Sequence, residues 1–321
     1  MQAARASGAL FIVRRRRREN ASCSSPSNPE SAVPLPPAQK DANLTMGPVL
    51  FVGIRFLLST FLLLPFALYE RKNHATALTR KDYLQAAMIG LCIFVGANLQ
   101  QIGLITTTAT NGGFLTALYV VMVPIIVWLT TRRLPRISVV LACIISIVGA
   151  WLLAEKGQMR SWDTGDLLVV AADVAWALAI VLVAEFLQRT DRPYFLSFAQ
   201  FTVTALLSLV WGLATEPVVI SGITAALPAI LYAGVLSSGV AYTLQIIAQR
   251  HTPAPEAALI MSLESVFAAL AGALILSERL TTLAAVGCGL ILLGVALVEL
   301  GPLFSMRHKF SRAGVNNSGP G

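Results

Sequence analysis

The chain has 321 residues, 56% of them hydrophobic and only 12% charged, against the ~25% charged residues usual in soluble domains. With a mean hydropathy of +0.72, it carries more apolar surface than a soluble fold of this length can bury. A soluble domain, a disordered chain and a disulfide scaffold are thereby excluded, which leaves a polytopic membrane protein. The net charge of +8 does not point to nucleic acid. Beyond the N-terminal stretch, basic residues stand singly or in small groups between apolar runs, as topology signals do.

In chain order, residues 1–46 come first. They hold seven basic and three acidic residues, with Arg14 to Arg18 in one run, and are rich in Pro and Ser. Such a composition predicts a disordered tail. Nine apolar segments follow: 48–69, 83–105, 111–131, 137–154, 166–187, 194–214, 225–247, 255–276 and 281–301. Each is close to the ~20 residues that a spanning helix needs. Barrel strands are about 10 residues long and alternate in polarity, so helices are expected. The connections are short, and residues 302–321 read as a second disordered tail.

The basic residues orient the bundle. The loops at 70–82, 132–136, 188–193 and 248–254 and the C-terminal tail carry thirteen Lys and Arg. The opposite side has only Lys156, Arg160 and Arg279. This predicts a cytoplasmic C-terminus. Of the four cysteines, Cys92, Cys143 and Cys288 lie within apolar segments, far apart, and Cys23 lies in the tail. They read as small buried hydrophobes, with neither a disulfide nor a metal site.

The chain also repeats itself. A shift of 145 residues brings Pro48 onto Pro193, Phe56 onto Phe201, Leu99-Gln100 onto Leu244-Gln245, Cys143 onto Cys288 and Gly149 onto Gly294. Residues 48–154 give 19 identities without a gap, and the segment boundaries coincide at the same shift. The segment at 166–187 maps back onto 21–42, inside the Pro/Ser-rich tail. The units are thus 47–155 with four helices and 166–301 with five. Two tandem five-helix units must enter the membrane with opposite topology, the inverted-repeat plan of secondary transporters.

Several runs resemble EamA-type transporters of the drug/metabolite transporter superfamily. The run from Gly47 to Phe56 is similar to the second helix of that family. Gln100 to Leu104, Thr107 to Ala109 and Gly113 to Tyr119 follow in the family's order. Ser262 to Leu270, closing on Ser277-Glu278-Arg279-Leu280, resembles the ninth helix. The resemblance spans residues 46–301. It implies an all-α membrane protein: a polytopic helix bundle built as an inverted repeat of two five-helix units, with both termini cytoplasmic. Two departures stand out. The first family helix is missing, which leaves nine spans, and Ser265 stands where the family often has proline. Without a first helix the arginine-rich tail falls on the wrong side of the membrane. A misread or truncated start of the gene is the favoured explanation, and a transit peptide the other.

Ionisable groups inside spans are costly and mark function by default. Arg55, Asp173, Glu185 and Glu264 are those groups, with Glu185 placed near the interface. Arg55 is expected to read an anionic group, or else to pair with Glu264 or Asp173 or to snorkel to the nearby lipid interface. Glu264 is the proton-coupling candidate, or else an interhelical hydrogen bond. Asp173 and Trp176 share a helix face, as do Asn98 with Gln101 and Tyr242 with Gln245. Gln200 stands at the position matching Arg55. Tyr119 and Trp176 offer rings for stacking, and the same residues serve equally for packing. Together they form the expected substrate pathway.

No nucleophile elbow, zinc-helix motif, phosphate loop or dinucleotide fingerprint is present, so neither an enzyme nor a cofactor is expected. The reading is a secondary transporter in the cell membrane, moving a metabolite, amino acid or drug by alternating access. Proton-coupled export and a homodimer are further expectations, and an organelle membrane applies if the tail is a transit peptide. The competing reading is a non-transporting membrane protein, either an interaction scaffold or a degenerate remnant. An intramembrane enzyme would need a catalytic pair that the sequence lacks.

Overall fold

The computed structural model describes residues 46–73, 77–107, 109–153, 163–275 and 281–315. Among them every element is helical. In chain order these are α1 (Pro48–Asn73), α2 (Arg80–Thr106), α3 (Ala109–Thr116), α4 (Tyr119–Thr131), α5 (Ile137–Leu153), α6 (Thr164–Thr190), α7 (Pro193–Thr215) and α8 (Ile220–Leu231). A π-helical stretch, Tyr232–Tyr242, then leads into α9 (Thr243–Gln249), followed by α10 (Ala254–Ile275) and α11 (Thr282–Val315). The N-terminal 45 residues, and with them nearly all of the expected first tail, lie outside the described residues.

Helical residues occupy all nine apolar segments, as a bilayer demands: backbone groups with no water to bond must be satisfied within the segment. Among the described residues, seven stretches are long and apolar enough to cross a membrane. Ile137–Leu153 is a shorter apolar helix, and Ala254–Ile275 carries Glu256 and Glu264.

Three details depart from the sequence reading. The segment 111–131 is broken at Ala117 and Leu118, where the amides of both bond to carbonyls three residues back. The segment 225–247 is not uniformly α-helical. Pro228 has no N–H to donate, and Gly234, Ser237, Ser238 and Gly239 follow closely in the π-helical stretch. Finally, α11 continues to Val315, where a disordered tail is expected from residue 302. The helix runs through Gly301-Pro302, and residues 303–315 beyond them contain no further proline and a single glycine near their end, which lets it continue.

The repeat is visible in the packing. α1 lies antiparallel on α7, and α5 on α11, so each pair joins repeat-equivalent helices. Phe56 and Phe201, matched by the 145-residue shift, meet with ring centroids 5.3 Å apart. The α5–α11 contact is reciprocal: Gly149 abuts the backbone of Gly287, and Gly294 abuts that of Ala142. The shift maps 142 onto 287 and 149 onto 294, so this is one contact made twice. The small residues let the backbones approach, as helix pairs in lipid require.

The ends of α1 and α7 are tied in the same reciprocal way. The Glu216 carboxylate, just beyond α7, accepts from the backbone N–H groups of Val49 (3.0 Å) and Leu50 (2.8 Å) at the start of α1. The Glu70 carboxylate, near the end of α1, accepts from Tyr194 (3.2 Å) and Phe195 (2.7 Å) at the start of α7. Each proline-led N-terminus leaves orphan N–H groups and a positive dipole end, which a carboxylate satisfies. α2 packs antiparallel on α6, with Asp82 paired to Arg189 (2.7 Å) at one end. At the other end the Thr107 hydroxyl donates to the Asp166 carboxylate.

Candidate functional site

The middle of the bundle, where α1, α2, α4, α6, α7, α10 and the π-helical stretch converge, holds the polar residues. Asp173 stands in the centre of α6 and is 0% exposed, and neither carboxylate oxygen has a hydrogen-bond partner. One turn on, the Trp176 ring lies against Tyr242, with centroids 5.8 Å apart. Its Nε1–H is buried and unpartnered. Gly96 on α2 makes room for that indole: a methyl group there would stand 3.2 Å from the ring. Tyr242 meets Phe201 at 5.7 Å, and Phe201 meets Phe56. A chain of rings therefore crosses from α6 through the π-helical stretch and α7 to α1.

Arg55 closes that chain. It is buried on α1, with its guanidinium 4.9 Å from the Phe56 ring centroid and 5.7 Å from that of Phe51. The faces of both rings are negative and attract the cation. The alternative of an ion pair with Asp173 is not realised. Gln200, matched to Arg55 by the repeat, is 0% exposed, and both its amide oxygen and nitrogen are unpartnered. Tyr119 on α4 lies within electrostatic reach of Glu264, Asp173 and Tyr242. Tyr119 and Glu264 are themselves repeat-equivalent, so the two halves bring matching positions together here.

The other expected pathway residues divide. Asn98 donates from Nδ2 to the Ser208 hydroxyl (2.8 Å) and to the Phe94 carbonyl (2.8 Å). It ties α2 to α7, which is the packing role of such residues in lipid. Gln101 is buried on the same helix, and Gln245 is half-buried on α9, one turn past Tyr242. Glu185 is exposed toward the end of α6. Glu264 is half-buried on α10.

Sequence reasoning missed two contributors and noted two others only as a repeat. Thr243, beside Tyr242, has a buried and unpartnered hydroxyl. Gly96 matters only through the ring that it accommodates, and no pattern announced that. Phe56 and Phe201 already stood out as a repeat identity, and that was the available signal.

A buried carboxylate, a guanidinium on ring faces and unsatisfied amide groups at mid-bundle define the class: a two-repeat helical membrane protein with a central polar site. Comparisons with known proteins agree. The EamA-like transporter family matches residues 35–154 and 163–300, and the chain belongs to that family. An uncharacterized transporter of Archaeoglobus fulgidus is 31% identical over 264 residues, covering 82% of this chain and 80% of the relative. One of Methanothermobacter thermautotrophicus is 28% identical over 241 residues, covering 71% and 68%. A solved crystal structure with 17% identity reaches a TM-score of 0.65 over 81% of this chain and 91% of the other, a likeness of fold. The chain is thus an integral, multi-pass membrane transporter.

Proposed function

We propose that the chain is a secondary transporter that moves a small organic solute by alternating access between its two repeats, with Asp173 as the group that exchanges a proton for solute. The observation that carries this reading is the fully buried Asp173 carboxylate with both oxygens unpartnered. An ionised carboxylate left alone in such a place costs several kcal/mol. Between substrates it holds a proton, and it gives that proton up when a solute group takes its place. Glu264, half-buried on α10, is the second candidate for the same task. Tyr119 stands within electrostatic reach of both carboxylates, and Tyr242 belongs to the same group.

The test is flux into proteoliposomes of the full chain. A labelled mixture of metabolites, amines and amino acids is offered with and without an imposed pH gradient. Wild-type protein is expected to accumulate at least one component in response to the gradient, and Asp173→Asn to abolish that response. If no component moves at all, the chain is a membrane scaffold and the transport reading is wrong. If Asp173→Asn keeps the gradient response and Glu264→Gln loses it, the proton belongs to Glu264.

A further inference from the structure

We infer that the transported solute is an organic cation bearing a planar ring, with its ammonium group at Asp173 and its ring among Trp176, Tyr242 and Phe201. This rests on the transporter reading above and assigns the chemical class of its substrate.

Charge gives the first argument. The central group contains two carboxylates, Asp173 and Glu264, and one guanidinium, Arg55. The positive charge of Arg55 already lies over the rings of Phe56 and Phe51. The carboxylate of Asp173 has no hydrogen-bonding partner on either oxygen. Once the Asp173 proton has left, the unmatched charge is negative, and it calls for a cation.

The rings give the second. Trp176, Tyr242 and Phe201 follow one another at 5.8 and 5.7 Å with interplanar angles of 47° and 65°. Tilted rings beside a carboxylate are the surroundings that bind an ammonium group, because ring faces and carboxylate attract it together. Gln200, Thr243 and the Trp176 Nε1–H keep buried hydrogen-bonding capacity unused, which suits the polar edge of a ring.

An anion would need different surroundings. A site for a carboxylate or phosphate uses helix N-termini or free cationic side chains. The N-termini of α1 and α7 are already taken by the protein's own Glu216 and Glu70. No lysine lies within the nine apolar segments, and Lys72 and Lys81 stand at the ends of α1 and α2.

The step exchanges one positive charge for another. The ammonium group enters, the carboxyl proton of Asp173 leaves to water, and no covalent bond other than O–H is broken. The exchange keeps the buried carboxylate compensated throughout.

The experiment holds the ring constant and varies the charge. Binding of tryptamine (cation), tryptophan (zwitterion) and indole-3-acetate (anion) is measured by calorimetry on the purified full chain in nanodiscs. Tryptamine is expected to bind, tryptophan to bind more weakly and indole-3-acetate not to bind. Asp173→Asn should weaken tryptamine by about 30-fold or more, as loss of a buried charge partner does. Asp173→Glu should restore most of that loss, which separates a lost charge from a lost fold. Trp176→Leu should weaken it by about fivefold. The inference is overturned if tryptophan or indole-3-acetate binds at least as tightly as tryptamine, if Asp173→Asn binds tryptamine unchanged, or if none of the three binds. In those cases flux of other solutes in proteoliposomes still stands or falls by itself, so failure of the substrate class is distinct from failure of the transporter reading.

Discussion

α2 and its repeat counterpart, residues 220–249, start from related sequence and reach different shapes. α2 is regular over 27 residues. The counterpart passes through an 11-residue π-helical stretch. The difference lies in a few side chains: where α2 has Ile89, Cys92, Ile93 and Phe94, the counterpart has Gly234, Ser237, Ser238 and Gly239. These small residues let it press against α1, where Gly234 meets the Arg55 carbonyl and Leu58, and Gly239 meets Leu62. The Ser59 hydroxyl donates to the Gly234 carbonyl at 2.7 Å, which helps to satisfy a backbone that has left α-geometry. π-helical turns gather at functional sites, and this stretch ends on Tyr242. At the same level of the bundle α2 offers Gly96. The indole of Trp176 thus has a bare backbone on one side and a phenol ring on the other. A symmetric pair of helices would have made two equal half-sites, and the asymmetry makes one.

The largest effect is expected where α2 meets α6. A methyl group at Gly103 would stand 2.8 Å from the Gly165 carbonyl oxygen, and one at Gly165 would stand 2.5 Å from the Gly103 carbonyl oxygen. Two backbones in contact cannot give way as side chains do. Gly103→Leu should therefore cost ~3 kcal/mol, the upper range for overpacking, and should remove the monodisperse peak in size-exclusion chromatography. The repeat-equivalent residue, Ala248, is exposed, and Ala248→Leu should leave the peak intact. Identical behaviour of the two variants would break the comparison.

Gly96→Leu comes next. The new side chain must displace the indole of Trp176, a flexible neighbour, so the cost should be nearer ~2 kcal/mol. Thermal unfolding in detergent measures it. The shift in tryptophan emission should disappear when Trp176→Phe is added. If the shift persists, the indole is not the group displaced.

The carboxylate clamps sharpen the comparison from the other direction, because here the two repeats agree. Glu216→Ala and Glu70→Ala should each destabilise by ~1–2 kcal/mol, the scale of a charged helix cap. The clamps sit at opposite ends of the α1–α7 pair, so the double variant should be additive within ~0.5 kcal/mol. A clear excess would mean that releasing one end already loosens the other.

Much of this architecture was legible in the sequence, and the reasons are physical. Apolar length marks a spanning helix because lipid forbids an unsatisfied backbone. A shift of 145 residues exposed the repeat because α1 and α7 keep Pro48 and Pro193, Phe56 and Phe201, at matching positions. Asp173, Arg55 and Glu264 were legible because charge is rare within a span. The π-helical stretch was not, since two glycines and two serines also suit an ordinary helix contact. Nor were the clamps: Glu70 and Glu216 read as loop charges until the N-termini that they bond to are placed beside them. The contact of Trp176 with Tyr242 joins α6 to the end of the π-helical stretch, which no 3.6-residue periodicity reveals.

The smallest effect should come from the ion pairs, and it tests whether burial or proximity decides their worth. Arg250 and Asp191 approach to 2.5 Å, with side chains 29% and 57% exposed. Arg189 and Asp82 are slightly farther apart at 2.7 Å, but the Asp82 side chain is only 8% exposed. Asp82 also accepts from the Thr79 backbone and hydroxyl, both at 2.7 Å, so it is held in place before Arg189 arrives. Water screens the first pair, and both its partners lose side-chain freedom on meeting. A double-mutant cycle on Asp191 and Arg250 should give a coupling of ~0.5 kcal/mol or less, vanishing in high salt. The cycle on Asp82 and Arg189 should give more and should keep most of it in salt, because burial limits screening. Equal couplings would show that distance alone sets the energy, and the shorter, wetter pair would then have to be counted among the contacts that hold α9 to the α6–α7 connection.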